Sequence, residues 1–139
     1  MALRVEGVRR VTVQVFSGPK TELSAVRVPS RVLVNRWYSC SVTLRNAGDW
    51  PAKLGIQIVN ERGPGAVEVS VAGRTHRLDV GKMVEVSTRD IVPPGESRDI
   101  RFSLRFLAVG TYTLAIRYGH YSPPTAPPPR GWIRPLAVW

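Results

Sequence analysis

The chain has 139 residues, of which 43% are hydrophobic, and this is the size and composition of an ordinary globular protein of one domain. No apolar run approaches the roughly 20 residues that a membrane-spanning helix needs, and the start, MALRVEGVRR, lacks the apolar stretch of a signal peptide. The formal net charge is +10, and 17 of the 20 basic residues are arginine, which permits an acidic surface or nucleic acid as a partner.

The first element is the segment VEGVRRVTVQVF, residues 5–16, in which Val11, Val13 and Val15 alternate with polar residues. This period of two predicts a β-strand. One interpretation is an extra edge strand on the chain's own sandwich. The other is a strand that pairs with a neighbouring subunit by β-augmentation or donor-strand exchange, with Phe16 in the interface and Ser17-Gly18-Pro19 as a flexible joint.

Five further runs show the same alternation, and turn residues separate them. They are Tyr38–Leu44, Leu54–Ile58, Val67–Val71, Ile100–Phe106 and Tyr112–Tyr118. Ala72-Gly73 is expected to form a hairpin turn between VEVSV and THRLDV. No segment of helical length has a 3.6-residue apolar period, so we predict an all-β, antiparallel, immunoglobulin-like sandwich of about eight or nine strands over residues 21–120.

The stretch NAGDWPAKL, residues 46–54, predicts a corner between two strands. Asn46 ends one strand, and Gly48 is expected to supply the positive φ that a sharp corner needs. Pro51 keeps the crossing segment out of a ladder until Lys53 restarts a strand, either in the same sheet or in the other one. We interpret this corner as architectural.

Three stretches together carry a resemblance: YSCSVTLRNAGDWPAKLGIQIVN, IVPPGESRDIRFSLRF and GTYTLAIRY. From Leu23 to Tyr118 the chain resembles the CARDB-like and related immunoglobulin-like adhesion modules of bacteria and archaea. The extra hairpin between Arg62 and Asp90 departs from their compact pattern. The resemblance implies a sandwich of seven or more strands with a binding, spacing or assembly role, usually without catalysis.

The last segment, residues 121–139, is rich in proline, and five of the seven residues from Pro123 to Pro129 are proline. We expect an extended polyproline II spacer of roughly 20 Å. The apolar residues after it either fold back over the sandwich or anchor the chain in a partner's groove, and they are Trp132, Ile133, Leu136, Val138 and Trp139.

Catalytic and metal-binding patterns are missing from the sequence. His76 and His120 are the only histidines, no CxxC or HxxxH spacing occurs, and there is no phosphate-binding glycine motif. Cys40 is the only cysteine, which excludes an internal disulfide, and its position predicts an inert buried thiol. We therefore expect a protein that is not an enzyme and that has no cofactor, metal or small-molecule substrate.

Four arginines fall on outward strand positions: Arg45, Arg101, Arg105 and Arg117. If their strands are neighbours, they would form a basic stripe, which is a candidate anion or nucleic-acid face. The alternative is an ordinary solvated face, paired in part with Asp49, Glu68, Glu85 and Asp99.

These observations favour a structural subunit that associates with copies of itself through its two ends, as an extracellular filament or a virion component. A cytoplasmic location stays open, and the arginine-rich, lysine-poor composition is similar to that of proteins of thermophilic archaea and their viruses. Two alternatives are a basic module that binds nucleic acid or nucleoprotein, and an accessory domain that docks on another protein through the proline-rich tail.

Overall fold

The computed structural model describes residues 2–123, which form eight β-strands and no helix. This confirms the predicted all-β class. The strands are β1 (Thr21–Arg27), β2 (Trp37–Asn46), β3 (Leu54–Arg62), β4 (Val67–Val71), β5 (Arg74–Leu78), β6 (Met83–Ser87), β7 (Ser97–Phe106) and β8 (Thr113–His120). The proline-rich spacer and the apolar residues Trp132, Ile133, Leu136, Val138 and Trp139 lie outside the described residues, apart from Pro123 at their boundary.

The strands form two sheets that pack as a β-sandwich. The large sheet has the order β1-β2-β7-β4-β5, and the small sheet has the order β6-β3-β8. All paired strands are antiparallel. The corner after β2 carries the chain from the large sheet to the small one, as the sequence suggested.

The core lies between the sheets and follows from the alternation of apolar and polar residues. Val42 and Leu44 of β2 are fully buried, and so is Ile58 of β3 on the facing sheet. Because successive side chains of a strand point to opposite faces, every second residue enters this core. Each fully buried aliphatic side chain contributes about 1.5–3 kcal/mol to folding.

The hairpin between β4 and β5 forms where the sequence predicts it. Ala72 and Gly73 have φ angles of 49° and 79°, and Val71 pairs with Arg74. Two positive φ values in a two-residue loop are the signature of a type I′ turn, whose twist suits the two strands.

The strands run between two distinct ends of the sandwich. At the Asn46 end, Thr21 pairs with Asn46 and Leu54 pairs with His120. At the opposite Val109 end lie the loops 28–36 and 107–112, which adjoin the start of β2 and of β8.

The expected strand over Val11, Val13 and Val15 is wrong for the single chain. Residues 2–20 contain no strand in the described structure, and residues 2–15 are all exposed. The extra edge strand on the chain's own sandwich is therefore not formed in the described residues, although Ser17 and Gly18 are bound to Asp49 of the sandwich. No helix among the described residues has the length and apolar character needed to cross a membrane.

Candidate functional site

Asn46 organises the corner at the end of β2. Its side chain is fully buried, and its Nδ2 donates hydrogen bonds to the carbonyl oxygens of Trp50, at 2.9 Å, and Val92, at 3.0 Å. Its Oδ1 accepts from the backbone N–H of Gly48 at 3.0 Å and of Lys20 at 3.4 Å. One side chain therefore connects the corner to the loop before β7 and to the chain that enters β1.

Asp49, three residues after Asn46, fixes the joint between the N-terminal residues and the sandwich. Its carboxylate accepts hydrogen bonds from the backbone N–H of Ser17 at 3.0 Å, from the Ser17 hydroxyl at 2.9 Å, and from the N–H of Gly18 at 2.8 Å. The N–H groups of Ser17 and Gly18 hold the pKa of Asp49 below its ordinary value, because they stabilise the charged form. The joint Ser17-Gly18-Pro19 is therefore anchored to the corner.

Gly48 is needed at this corner for a different reason from the predicted one. Its φ is not positive, whereas a Cβ at this position would overlap the carbonyl oxygen of Gly18. Glycine allows the joint and the corner to approach each other backbone to backbone, and Asp49 N–H donates to that same Gly18 carbonyl at 3.1 Å.

The residues before the joint form an exposed segment, which we call the terminal segment (residues 2–16). Phe16 is half-buried and packs edge-on against Trp50, with ring centroids 5.0 Å apart. Before it, Val11 is 76%, Val13 is 72% and Val15 is 89% exposed. These three valines therefore expose apolar surface that the described part of the chain leaves uncovered.

An apolar cavity of about 760 Å³ opens between the sheets toward the Val109 end, and we call it the side cleft. Exposed apolar side chains at its rim are Val26, Leu33, Val34 and Val109. Its inner lining includes Leu114 and Ile116, which are half-buried on β8. This cleft was not predicted from the sequence, although an apolar pattern runs through valines 26, 28, 32 and 34, most of them in a loop.

β8 forms one wall of the side cleft, and β1 forms part of the other. At the Asn46 end the two strands meet, where Thr21 Oγ1 and His120 Nδ1 lie 3.4 Å apart. Within the described chain β8 pairs with β3 on one side, and its other edge has no ladder partner.

The chain leaves β8 over the outer face of the small sheet. Tyr121 N–H donates to the carbonyl oxygen of Lys53 at 2.9 Å, and the Tyr121 ring lies so close over Gly55 that a Cβ there would touch it. Burial and a hydrogen bond with Glu85 raise the pKa of Tyr121, and hydrogen bonds from Gln57 and Tyr121 lower the pKa of Glu85. The proline-rich residues therefore start from a fixed point outside the core.

The four predicted arginines do not form one stripe. Arg117 is on β8 of the small sheet, whereas the other three are on β2 and β7 of the large sheet. Arg45 is paired with Glu22 at 3.1 Å, and Arg105 is paired with Glu68 and stacks over Trp37 at 5.0 Å. Arg105 thus has one of the acidic partners named in the alternative interpretation, Glu68, whereas the partner of Arg45, Glu22, was not among them.

Arg101 differs from Arg45 and Arg105, since it is exposed and has no ion pair with any described residue. Its strand register places it opposite Ser41 of β2, and Ser41 lies opposite Arg27 of β1. Arg27 donates to Thr43 Oγ1 at 3.1 Å and, more weakly, to Ser41 Oγ at 3.5 Å. Sequence reasoning missed Arg27, whose strand has no clean alternation.

Cys40 is buried, as predicted, and its burial raises the pKa of the thiol to about 11. Nearly all of this thiol is therefore protonated at neutral pH, so it reacts slowly. Among residues 2–123, no group of three or more histidine, cysteine or acidic side chains is placed to hold a metal ion.

Comparisons with protein-family models, with curated proteins and with solved structures gave no match to this chain.

Proposed function

We propose that this protein is a non-catalytic structural subunit that associates with copies of itself through its terminal segments, in an extracellular filament or a virion. The observation that carries this proposal is the anchored, exposed terminal segment. Val11, Val13 and Val15 would form one apolar face if the segment became a strand, and the corner around Asn46 and Asp49 holds its base in place.

Exposed edges in the sandwich support the same function. The described part of the small sheet ends in β8 on one side, beside the apolar side cleft. A protein with both an unpaired strand-like segment and an unpaired edge favours pairing between chains. A second contact between subunits would be made by the C-terminal apolar residues Trp132, Ile133, Leu136, Val138 and Trp139.

The proposal is tested by removing the apolar face of the terminal segment. The variant Val11→Ser/Val13→Ser/Val15→Ser is compared with Thr12→Ser/Gln14→Ser, which alters the opposite face. Each valine buried in an interface contributes about 1 kcal/mol or more, so the triple variant should weaken assembly by at least roughly 100-fold.

The measurement is light scattering after size-exclusion chromatography of nuclease-treated protein. We expect large assemblies for the wild type and the control variant, and a folded monomer of 15.4 kDa for the triple valine variant. An unchanged size distribution in the triple variant would refute a role for the terminal segment.

A second candidate function is anion or nucleic-acid binding on the large sheet. The observation that favours it is the row Arg27, Ser41 and Arg101 across three adjacent strands, with two exposed guanidinium groups that have no carboxylate partner among the described residues. The two arginines are about 10 Å apart across the strands, which is a spacing that phosphate groups of one strand can meet.

Binding of a labelled single-stranded oligonucleotide at several salt concentrations tests this second function. Arg27→Ala/Arg101→Ala should abolish a steeply salt-dependent affinity, while Arg45→Ala, which removes an ion-paired arginine, should change it little. Absence of salt-dependent binding in the wild type would refute it.

A further inference from the structure

We infer that the side cleft is the acceptor site for the terminal segment of a second copy, whose residues 8–16 would add a fourth strand to the small sheet along β8. This inference rests on the proposed self-association and names the surface that receives the segment. It also implies which side chains meet: Val11, Val13 and Val15 of one copy with the cleft lining of the other.

The first support is the shape and chemistry of the cleft. It lies between the sheets, it is open to solvent, and its rim exposes apolar side chains such as Val109, which is 83% exposed. Leu114 and Ile116 are only half-buried, although both point toward the core from β8. Additional apolar side chains above them would complete the core at this end.

The second support is the free edge of β8. A strand added there would take up the backbone N–H and C=O groups of β8 that face away from β3. Leu114, Ile116 and Tyr118 of β8 lie on one face with the same period of two as the three valines of the terminal segment, and Tyr118 is 50% exposed. Three apolar side chains of the incoming strand would therefore lie on the same face as three of β8.

The third support is that the segment has the sequence of a strand, whereas the other apolar end of the chain does not. Residues 8–16 contain four valines and neither proline nor glycine. The apolar residues at the C-terminus are interrupted by Pro135, which lacks the N–H that a strand within a ladder must donate. The described start of that segment, Tyr121, also lies on the outer face of the small sheet and not beside the cleft.

The occupant is a second copy because the two surfaces are separate within one chain. The valines are exposed and the cleft is open in the same structure. The segment leaves its own sandwich at the Asn46 end, where Ser17 and Gly18 are bound to Asp49, whereas the cleft opens toward the Val109 end. Donor and acceptor are different surfaces, so such a contact is heterologous and can continue from copy to copy.

Disulfide cross-linking in the full chain tests the inference. Cysteine is placed at 11, 13 or 15 in one protein and at Ile116 in a second protein that carries a different affinity tag. The matched controls place cysteine at 12 or 14, on the opposite face of the incoming strand. Cys40 is retained, since its buried thiol with a pKa of about 11 reacts slowly.

We expect a cross-link between the two tagged proteins with cysteine at one or more of positions 11, 13 and 15, and at most a tenth of that yield with positions 12 and 14. If Ile116→Cys does not fold, Val26→Cys on the exposed rim of the cleft replaces it. Equal yields for the two faces, or no cross-link between the two tagged proteins, would overturn the inference.

A second variant separates failure of the acceptor site from failure of self-association. Val26→Arg places a charge in the cleft, and Val80→Arg places a charge outside the cleft. The two positions are matched because Val26 is 45% exposed and Val80 is 50% exposed. Val26→Arg should raise the concentration needed for assembly at least tenfold, and Val80→Arg should not. If the valine triple variant prevents assembly but Val26→Arg does not, the cleft is not the acceptor although self-association stands. If the triple variant also assembles normally, both ideas fail.

Discussion

Asn46 shows how much one buried side chain can determine at a corner. Its amide makes four hydrogen bonds to backbone groups of Lys20, Gly48, Trp50 and Val92, so it joins three separate stretches of chain. A buried polar group left without a partner costs about 1–3 kcal/mol, and this side chain satisfies several at once. The corner is therefore the fixed base from which the terminal segment extends.

Replacement of Asn46 tests this role. Asn46→Ala should lower the free energy of unfolding by about 2–4 kcal/mol, because carbonyl and N–H groups in the corner lose their partners. The measurement is urea denaturation followed by circular dichroism. Gln57→Ala, which removes an exposed amide bound to Glu85, should cost less than about 0.5 kcal/mol. Equal effects of the two variants would contradict the role given to Asn46.

Asp49 makes the joint sensitive to acid. Its folded pKa is lowered from the ordinary value of 3.8, so its contribution is complete above that value and is lost as the pH falls through the lower folded pKa. The amide protons of Ser17 and Gly18 should shift with a midpoint below pH 3.8 in NMR spectra. In Asp49→Ala both amides should exchange with solvent faster at neutral pH, and unchanged exchange would show that the carboxylate does not hold the joint.

Gly48 has a steric role that a single substitution can test. Gly48→Ala should displace residues 17–20 from the corner, because the new methyl group would overlap the carbonyl oxygen of Gly18. Gly7→Ala is the control, since nothing lies within 4 Å of a Cβ at that position. The NMR chemical shifts of residues 17–20 should change in Gly48→Ala and should stay the same in Gly7→Ala. Unchanged shifts in Gly48→Ala would refute the steric account.

Between the strands, Tyr112 connects the start of β8 to the loop before β4. Its hydroxyl donates to the carbonyl oxygen of Ala66 at 3.0 Å, and its ring packs edge-on against Phe106, with centroids 4.9 Å apart. The ring also occupies the space in which a Cβ at Gly63 would lie. Tyr112 thereby positions β8 beside the side cleft, whose lining it joins.

Removal of the Tyr112 hydroxyl should lower the free energy of unfolding by a small but measurable amount. Tyr112→Phe keeps the ring contacts and removes one hydrogen bond, so the free energy of unfolding should fall by about 0.5–1.5 kcal/mol. Gly63→Ala should cost more, because its methyl group displaces the ring. Thermal denaturation of both variants checks the order, and a greater loss in Tyr112→Phe would contradict it.

The alternation of apolar and polar residues predicted most of the strands of the sandwich, because it indicates which residues face the core. It identified β2, β3, β4, β7 and β8, together with the β4–β5 hairpin. It did not single out β1, whose pairing with β2 is irregular between Leu23 and Ala25, or the short β6. It also predicted a strand over Val11–Val15, because alternation shows that a segment can pair but not which surface it pairs with.

Less of the candidate site than of the fold could be predicted from the sequence. Exposed arginines can be recognised on outward positions, but their ion pairs with Glu22 and Glu68 depend on which strands are neighbours. The side cleft arises where β1 and β8 separate, which is a property of two packed sheets and not of any single run. Gly48 was recognised as necessary, but close backbone approach could not be distinguished from positive φ without coordinates.

The whole sandwich presents different surfaces at its two ends. The terminal segment is anchored at the Asn46 end, and the side cleft opens toward the Val109 end. A subunit with a donor at one end and an acceptor at the other would form an extended polymer unless the contacts close on themselves. The resemblance to CARDB-like adhesion modules fits such a spacing role and stays a prediction.

The most direct measurement is negative-stain electron microscopy of the full-length, nuclease-treated protein at micromolar concentration, with sedimentation velocity on the same sample. Our account expects regular filaments or shells and a fast-sedimenting species. An empty field together with a single species of 15.4 kDa at every concentration would contradict self-assembly as the function of this protein.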